Sequence, residues 1–264
     1  MSPHQHTVLL SFDVEEFDMP LEYGQNIALE EQMAVGFAGL EILLPLVNAF
    51  SIASTCFTTA NFAQHFAQQV KEMAEKHEIA SHTFFHSQFS TEDLGLSKTT
   101  LENITQKKVN GLRMPRMRKV EMKDVIAAGY QYDSSINPTW LPGRYNNFHL
   151  PRTPYTQEGM LRFPASVSPF LRMPLFWLSF KNLPYATYLY FVKQTLKKDG
   201  YVCLYFHPWE FVNLDKYQLP GYAKKLSGKP LQDRLKRLID DLMPVANFDT
   251  MHNYIERKKL LQQH

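Results

Sequence analysis

The sequence predicts an α/β protein organised as one domain on a barrel of alternating strands and helices. Three observations carry this. Short apolar runs alternate with helically spaced segments along the length of the chain. Six or more such units fit within 264 residues, a size common for one barrel domain. No internal repeat or low-complexity tract divides the chain. Strands separated by helices pair in parallel, and a barrel suits this number of units better than an open sheet. The expected domain covers residues 1–264.

Thr7 to Asp13 reads as the first strand and Ile27 to Phe50 as a helix that Pro45 bends or divides. Ile52 to Thr58 is a strand, Phe62 to Lys76 a helix and Glu78 to Ser81 a short strand. Thr99 to Lys108 follows as a helix, Val109 to Arg113 as a strand, Lys119 to Ala128 as a helix and Tyr130 to Ser134 as a strand. Past a proline-rich stretch, Met160 to Val167 and Tyr201 to Phe206 suit strands, with helices over Pro184 to Lys198 and Pro230 to Leu242.

Acids and bases nearly balance, leaving a formal charge of +2 and no field that would steer the chain to nucleic acid. The only two cysteines, Cys56 and Cys203, lie in apolar runs and read as buried thiols. Residues 1–6 lack the basic and apolar stretches of a secretory leader. Prolines and charges interrupt every apolar run before it reaches the roughly 18 to 20 residues that span a bilayer. A soluble, cytoplasmic protein is expected.

In such barrels chemistry gathers at strand C-termini, which are unusually polar here. Asp13 and Glu15 share one face at the end of the first strand, because strand side chains alternate, while Glu16 points away. A run of acids there is otherwise a solvated turn. His82 and His86 are four residues apart, so both imidazoles face one ion if the segment makes a helical turn. Two histidines and a carboxylate form an open metal site that keeps a place for water. Arg113, before Met114 and Pro115, either pins a carboxylate or makes a surface ion pair. Asp133 either caps a turn or holds the second nitrogen of a histidine. His207 leaves an apolar run straight into a loop, a placement that suits a general acid; a lone core histidine is the other reading.

The ordered stretches Ser11 to Glu16, Ser54 to Asn61, His77 to His86, Leu112 to Pro115 and Phe206 to Glu210 resemble those of the polysaccharide deacetylase family, the NodB-homology carbohydrate esterases. The likeness runs from about residue 7 to Thr250, and the His-Glu-Ile-Ala-Ser-His-Thr-Phe-Phe-His stretch is its most specific part. It implies a distorted barrel of about seven β/α units and a divalent metal, zinc by expectation. It also implies His82 and His86 as metal ligands, Asp13 as general base, Arg113 as the residue orienting Asp13, Asp133 as support, and His207 as general acid. The implied reaction removes an acetyl group from an acetylated saccharide through a metal-activated water.

Most members carry two adjacent aspartates in the first motif, whereas Val14 stands in the second place here. A branch with an Asp-Val-Glu spacing resembles this chain, and alternation makes Glu15 the third ligand. If Val14 instead occupied the ligand place, two histidines alone would hold the ion. The resemblance also admits a cyclic-amide hydrolase of the allantoinase type and a non-catalytic saccharide-binding relative. The aromatic and basic segment from Trp140 to Phe191 is core packing, a sugar-stacking rim or a membrane-resting surface. Leu171 to Phe180 is its expected contact with membrane or lipid carrier.

Overall fold

The computed structural model describes residues 6–262, so residues 1–5, on which the expectation about a leader largely rests, lie outside it. Strands β1 (Thr7–Val14), β2 (Thr55–Thr58), β3 (Glu78–Ser81), β4 (Gly111–Leu112) and β5 (Tyr132–Asp133) come first. The short β6 (Trp140–Leu141), β7 (Tyr145–Asn146) and β8 (Tyr155–Gln157) follow, then β9 (Met160–Arg162), β10 (Tyr201–Phe206) and β11 (Asn247–Asp249). The helices are α1 (Leu29–Ala49), α2 (Ala60–His65), α3 (Ala67–Met73), α4 (Glu92–Thr105), α5 (Met122–Ala127), α6 (Trp177–Asn182), α7 (Tyr185–Asp199), α8 (Gly221–Lys224), α9 (Lys229–Leu242) and α10 (Met251–Arg257).

One curled sheet runs β10-β1-β2-β3-β4-β5-β9-β8, with β11 also pairing to β1. Every pair is parallel except β8 with β9. The barrel is distorted because no strand ladder joins β9 to β10. The extended chain after β9 bridges the gap, with Ser166 N donating to Cys203 O at 3.0 Å and Cys203 N donating to Ser166 Oγ at 2.8 Å.

Strand alternation divides the interior. On β1, Val8, Leu10, Phe12 and Val14 pack outward beneath the helices, whereas Leu9 joins Phe57, Tyr132, Phe163 and Cys203 inside the barrel. Met251, Tyr254 and Ile255 of α10 plug the N-terminal end of that inner cluster. Both cysteines are buried and unpaired, as their apolar setting suggested. Burial pushes the Cys56 thiol to about 12 and the Cys203 thiol to about 11, so neither is reactive near neutral pH.

Several boundaries differ from the sequence reading. The helix expected from Thr99 begins at Glu92, and the one expected from Phe62 to Lys76 splits at Phe66 into α2 and α3. Pro45 neither ends nor divides α1, which runs unbroken for 21 residues. By length and composition α1 is therefore long and apolar enough to span a bilayer, against the expectation that no segment is. In this fold it lies on the barrel instead, burying Met33, Leu40, Leu43 and Val47.

Its contact is unusually close because Gly36 and Gly39 carry no side chain. A Cβ at Gly36 would strike the carbonyl oxygen of Glu15, and one at Gly39 the carbonyl oxygen of Pro208. The helix thus rests directly on the two backbone segments that deliver Glu15 and His207.

Candidate metal centre

Inward-facing Ser11, Asp13 and Glu15 carry the alternation of β1 upward from the apolar floor to the C-terminal rim. Arg113, fully buried, rises beside them from the end of β4, its guanidinium 4.0 Å over the Phe57 ring and 5.0 Å from that of Tyr205. Its Nη1 donates to Asp13 Oδ1 at 2.6 Å and to Ser11 Oγ at 3.1 Å, and its Nη2 donates to Ser134 Oγ at 3.1 Å. Of the two readings for Arg113, pinning a carboxylate is the one seen. Burial works against its charge, but Asp13 outweighs burial and raises its pKa.

His82 and His86 do not share a helical turn. Thr83 takes a left-handed conformation with φ 61°, and Ala60 N and Asn61 N at the start of α2 donate to the carbonyls of Thr83 and Phe84. Those carbonyls are therefore unavailable to a local helix. The irregular loop still brings the rings together, with centroids 5.7 Å apart. His82 Nδ1 donates to Arg113 O at 2.8 Å, which leaves its Nε2 as the free lone pair. His86 Nδ1 stands 2.8 Å from Asp18 Oδ1, which orients that ring in the same sense.

Glu15 Oε2 lies 3.0 Å from His82 Nε2 and 3.1 Å from His86 Nε2, yet forms no well-directed hydrogen bond, although fully enclosed. Among the described residues these three are the group whose ligand atoms lie mutually within 4.8 Å. Trp209 Nε1 donates to the other oxygen, Glu15 Oε1, at 3.0 Å and turns Oε2 inward. Burial opposes the Glu15 charge, but His86, His207 and His82 outweigh it and hold its carboxyl well below the usual carboxylate range. Burial likewise opposes a charge on His86, but Glu15 and Asp18 overcome it and raise its pKa to about 9. The cluster thus draws positive charge to one point. An enclosed anionic oxygen lacking a directed donor, facing two imidazole nitrogens, fits a small divalent cation that would take the place of the imidazole proton.

His207 sits across the site, its Nε2 3.9 Å from Asp13 Oδ2. Glu210 Oε1 accepts from His207 N at 2.8 Å and pairs with Nδ1 at 3.0 Å, and the ring stacks on Trp209 with Trp177 edge-on. Burial lowers its basicity, but Glu15, Glu210 and Asp13 overcome this and raise its pKa above 6.5. Behind Glu210 stands Lys181, fully buried, its Nζ 3.2 Å from Glu210 Oε2.

Asp133 touches neither histidine, so it takes the turn-capping reading and does not hold a ligand. It accepts from Ser135 N at 3.1 Å and pairs with Arg162 Nε at 2.9 Å. The turn it shapes carries Ser134, which holds Arg113, and Ser135, whose Oγ accepts from Met114 N. Glu16 points away as alternation requires, accepting from Thr59 Oγ1 and Asn61 Nδ2 at the start of α2. Of the Leu171 to Phe180 segment expected to contact membrane or lipid carrier, Leu171 is exposed, whereas Phe176 and Trp177 turn inward. Both are nearly buried and line the central cavity of about 300 Å3, together with Asp13, Glu15, His82, His86 and His207.

Trp209 and Glu210 lie in the Phe206 to Glu210 stretch that carries the resemblance, but neither they nor Asp18 and Lys181 had a role in the sequence reading. Only Glu210 had a usable signal, standing three residues after a histidine that ends a strand.

Residues 38–132 match the family model described as polysaccharide deacetylase. No curated protein matches the chain. A Mycobacterium smegmatis structure assigned as a polysaccharide deacetylase superposes with a TM-score of 0.67 at 17% identity, covering 100% of this chain and 93% of that one. One from Pseudomonas aeruginosa PAO1 with the same assignment gives 0.64 at 12% identity, covering 99% and 92%. The Puue allantoinase gives 0.63 at 13% identity, covering 95% and 89%. The fold is accordingly the distorted (β/α) barrel of the deacetylase type.

Proposed function

We propose that this chain is a member of the polysaccharide deacetylase family and a hydrolase that removes the acetyl group from an N-acetylated amino sugar, with Glu15, His82 and His86 holding a divalent cation. The observation that carries the reading is the enclosed Glu15 Oε2, which faces two imidazole nitrogens without a directed hydrogen bond, in the same cavity as a carboxylate and a histidine. A cation bound there supplies Lewis acidity toward a water and toward the acetyl carbonyl.

The chain's own groups then divide the proton traffic. Asp13, fixed by Arg113 through Oδ1, keeps Oδ2 toward the cavity to accept a proton from water. His207, held through Nδ1 by Glu210, presents Nε2 to protonate the departing amine, and its raised pKa keeps that proton available near neutral pH. Asn137 donates both amide hydrogens to Tyr145 and Tyr205, leaving a buried Oδ1 at the cavity wall to accept the acetamide N–H. Zinc is the expected ion, since two histidines and one carboxylate form a familiar set for it.

The placement of Glu15 favours a working site over a degraded one despite Val14, whose side chain packs outward. Metal analysis of the purified protein tests this, combined with acetate release from acetylated glucosamine substrates and ring opening of allantoin, with and without chelator. We expect one bound ion, lost in Glu15→Ala, and chelator-sensitive acetate release. Metal-free protein, or activity confined to allantoin, would reverse the assignment.

A further inference from the structure

Two grooves leave the central cavity through different walls, and their chemistry is opposite. The first, of about 930 Å3, shares Glu22, Arg116 and Tyr145 with the cavity and is bordered by charged groups such as Arg118, Lys119 and Glu158. The second, of about 450 Å3, shares Leu141, Phe176, Leu178 and Tyr222 with the cavity and continues between Leu171 and Leu183.

Polar side chains along the second groove are committed elsewhere. Thr139 Oγ1 donates to Arg172 O at 2.7 Å, Arg172 Nη1 to Leu150 O at 2.7 Å, Ser179 Oγ to Phe176 O at 3.2 Å, and Asn182 Nδ2 to Leu178 O at 2.9 Å. A sugar ring needs donors and acceptors for its hydroxyls, and the walls here offer mainly carbon. At the outer end, Trp140 is 63% exposed, Leu171 69% and neighbouring Phe170 84%. Surface side chains this apolar, grouped at the mouth of a groove that leads to a reaction site, mark where an apolar ligand enters.

We infer that the substrate is an amphiphile: an N-acetylated amino sugar bearing an apolar chain, with the sugar at the His82, His86 and Glu15 cluster and the chain along the Leu141 to Leu171 groove. This rests on the hydrolase reading for the chemistry but not for the binding. The charged groove on the other wall then faces the polar side of the same molecule.

The test is a tryptophan-fluorescence titration with the methyl and octyl glycosides of N-acetylglucosamine, below the micellar concentration, and with the N-acetylglucosamine trimer. Each methylene withdrawn from water multiplies affinity by about fourfold, so partial burial of the chain makes the octyl glycoside at least about tenfold tighter than the methyl. Leu171→Gln, at an exposed position that tolerates it, should bring that ratio down to about threefold or less. Equal binding of the two glycosides, a ratio unmoved by Leu171→Gln, or tighter binding of the trimer than of the octyl glycoside would overturn the inference. Octyl-selective binding without any acetate release would keep the groove and remove the hydrolase.

Discussion

Lys181 Nζ lies 3.2 Å from Glu210 Oε2, with both side chains fully buried, and Glu210 Oε1 in turn holds the backbone and ring of His207. Lys181 also donates to Ala223 O at 2.7 Å, so one amine ties α6 and α8 to the residue that orients the proposed acid. A buried pair costs desolvation on both sides, and removing one partner leaves the other uncompensated. Lys181→Met is therefore expected to lose about 3 to 5 kcal/mol of stability in urea denaturation, and the double variant Lys181→Met with Glu210→Gln to lose clearly less. Equal losses would separate the pair energetically.

The same double variant reports on His207. Glu210 is among the groups that raise the His207 pKa, so its replacement lowers that pKa. Because the proposed acid must carry its proton, activity falls as pH rises through this value. The basic limb of kcat/KM is expected to move to lower pH, with the acidic limb less affected. A stationary basic limb would assign that limb to another group.

Asp18 orients His86 from behind while accepting from Arg116 Nη2 at 2.9 Å. Carboxylates in this position typically contribute ten- to a hundred-fold to metal affinity. Asp18→Ala should weaken zinc binding by about that factor in competition with a chromophoric chelator, while circular dichroism stays that of the parent.

His77, remote from the site, sits between Ser54 and Asn48, with Nδ1 2.9 Å from Ser54 Oγ. Burial, assisted by Lys76, lowers its pKa from 6.5 to about 4. A histidine depressed on folding contributes stability fully present above 6.5 and lost as pH falls toward about 4. Denaturation across that window should show a loss reaching on the order of 3 kcal/mol in the parent that is missing in His77→Asn.

The close seat of α1 makes a steric prediction. Gly39→Ala would press a methyl into the Pro208 carbonyl, costing about 1 to 3 kcal/mol in thermal or urea unfolding. The shift should also broaden or move the His207 imidazole resonances, whereas Gly95→Ala on α4, which meets nothing within 4 Å, should leave them in place.

Much of the fold was legible where one physical rule acted alone. The apolar run Tyr201 to Phe206 became β10 with the same ends, and Glu78 to Ser81 became β3. Boundaries slipped where tertiary contacts overrode local preference. Only Gly111 and Leu112 of the strand expected from Val109 to Arg113 pair, and α4 starts seven residues before the expected Thr99. The antiparallel β8 and the hairpin of β6 and β7 were missed, because partly exposed two- and three-residue strands leave little periodicity to read.

For the site, alternation along β1 sufficed to set Asp13 and Glu15 on one face and Glu16 on the other, since the period of a strand is a local property of the backbone. The sequence by itself determined that much, together with the barrel class and the arrival of His207 at a strand end. What only the tertiary structure decided is which groups meet across long separations. Trp209 reaches Glu15, Asp18 stands behind His86, Arg113 spans to Asp13, and Lys181 comes up beneath Glu210. Each of these contacts joins separate loops or elements at one end of the barrel, and their distances follow from how the sheet curls and how closely α1 seats on it, which no local pattern encodes.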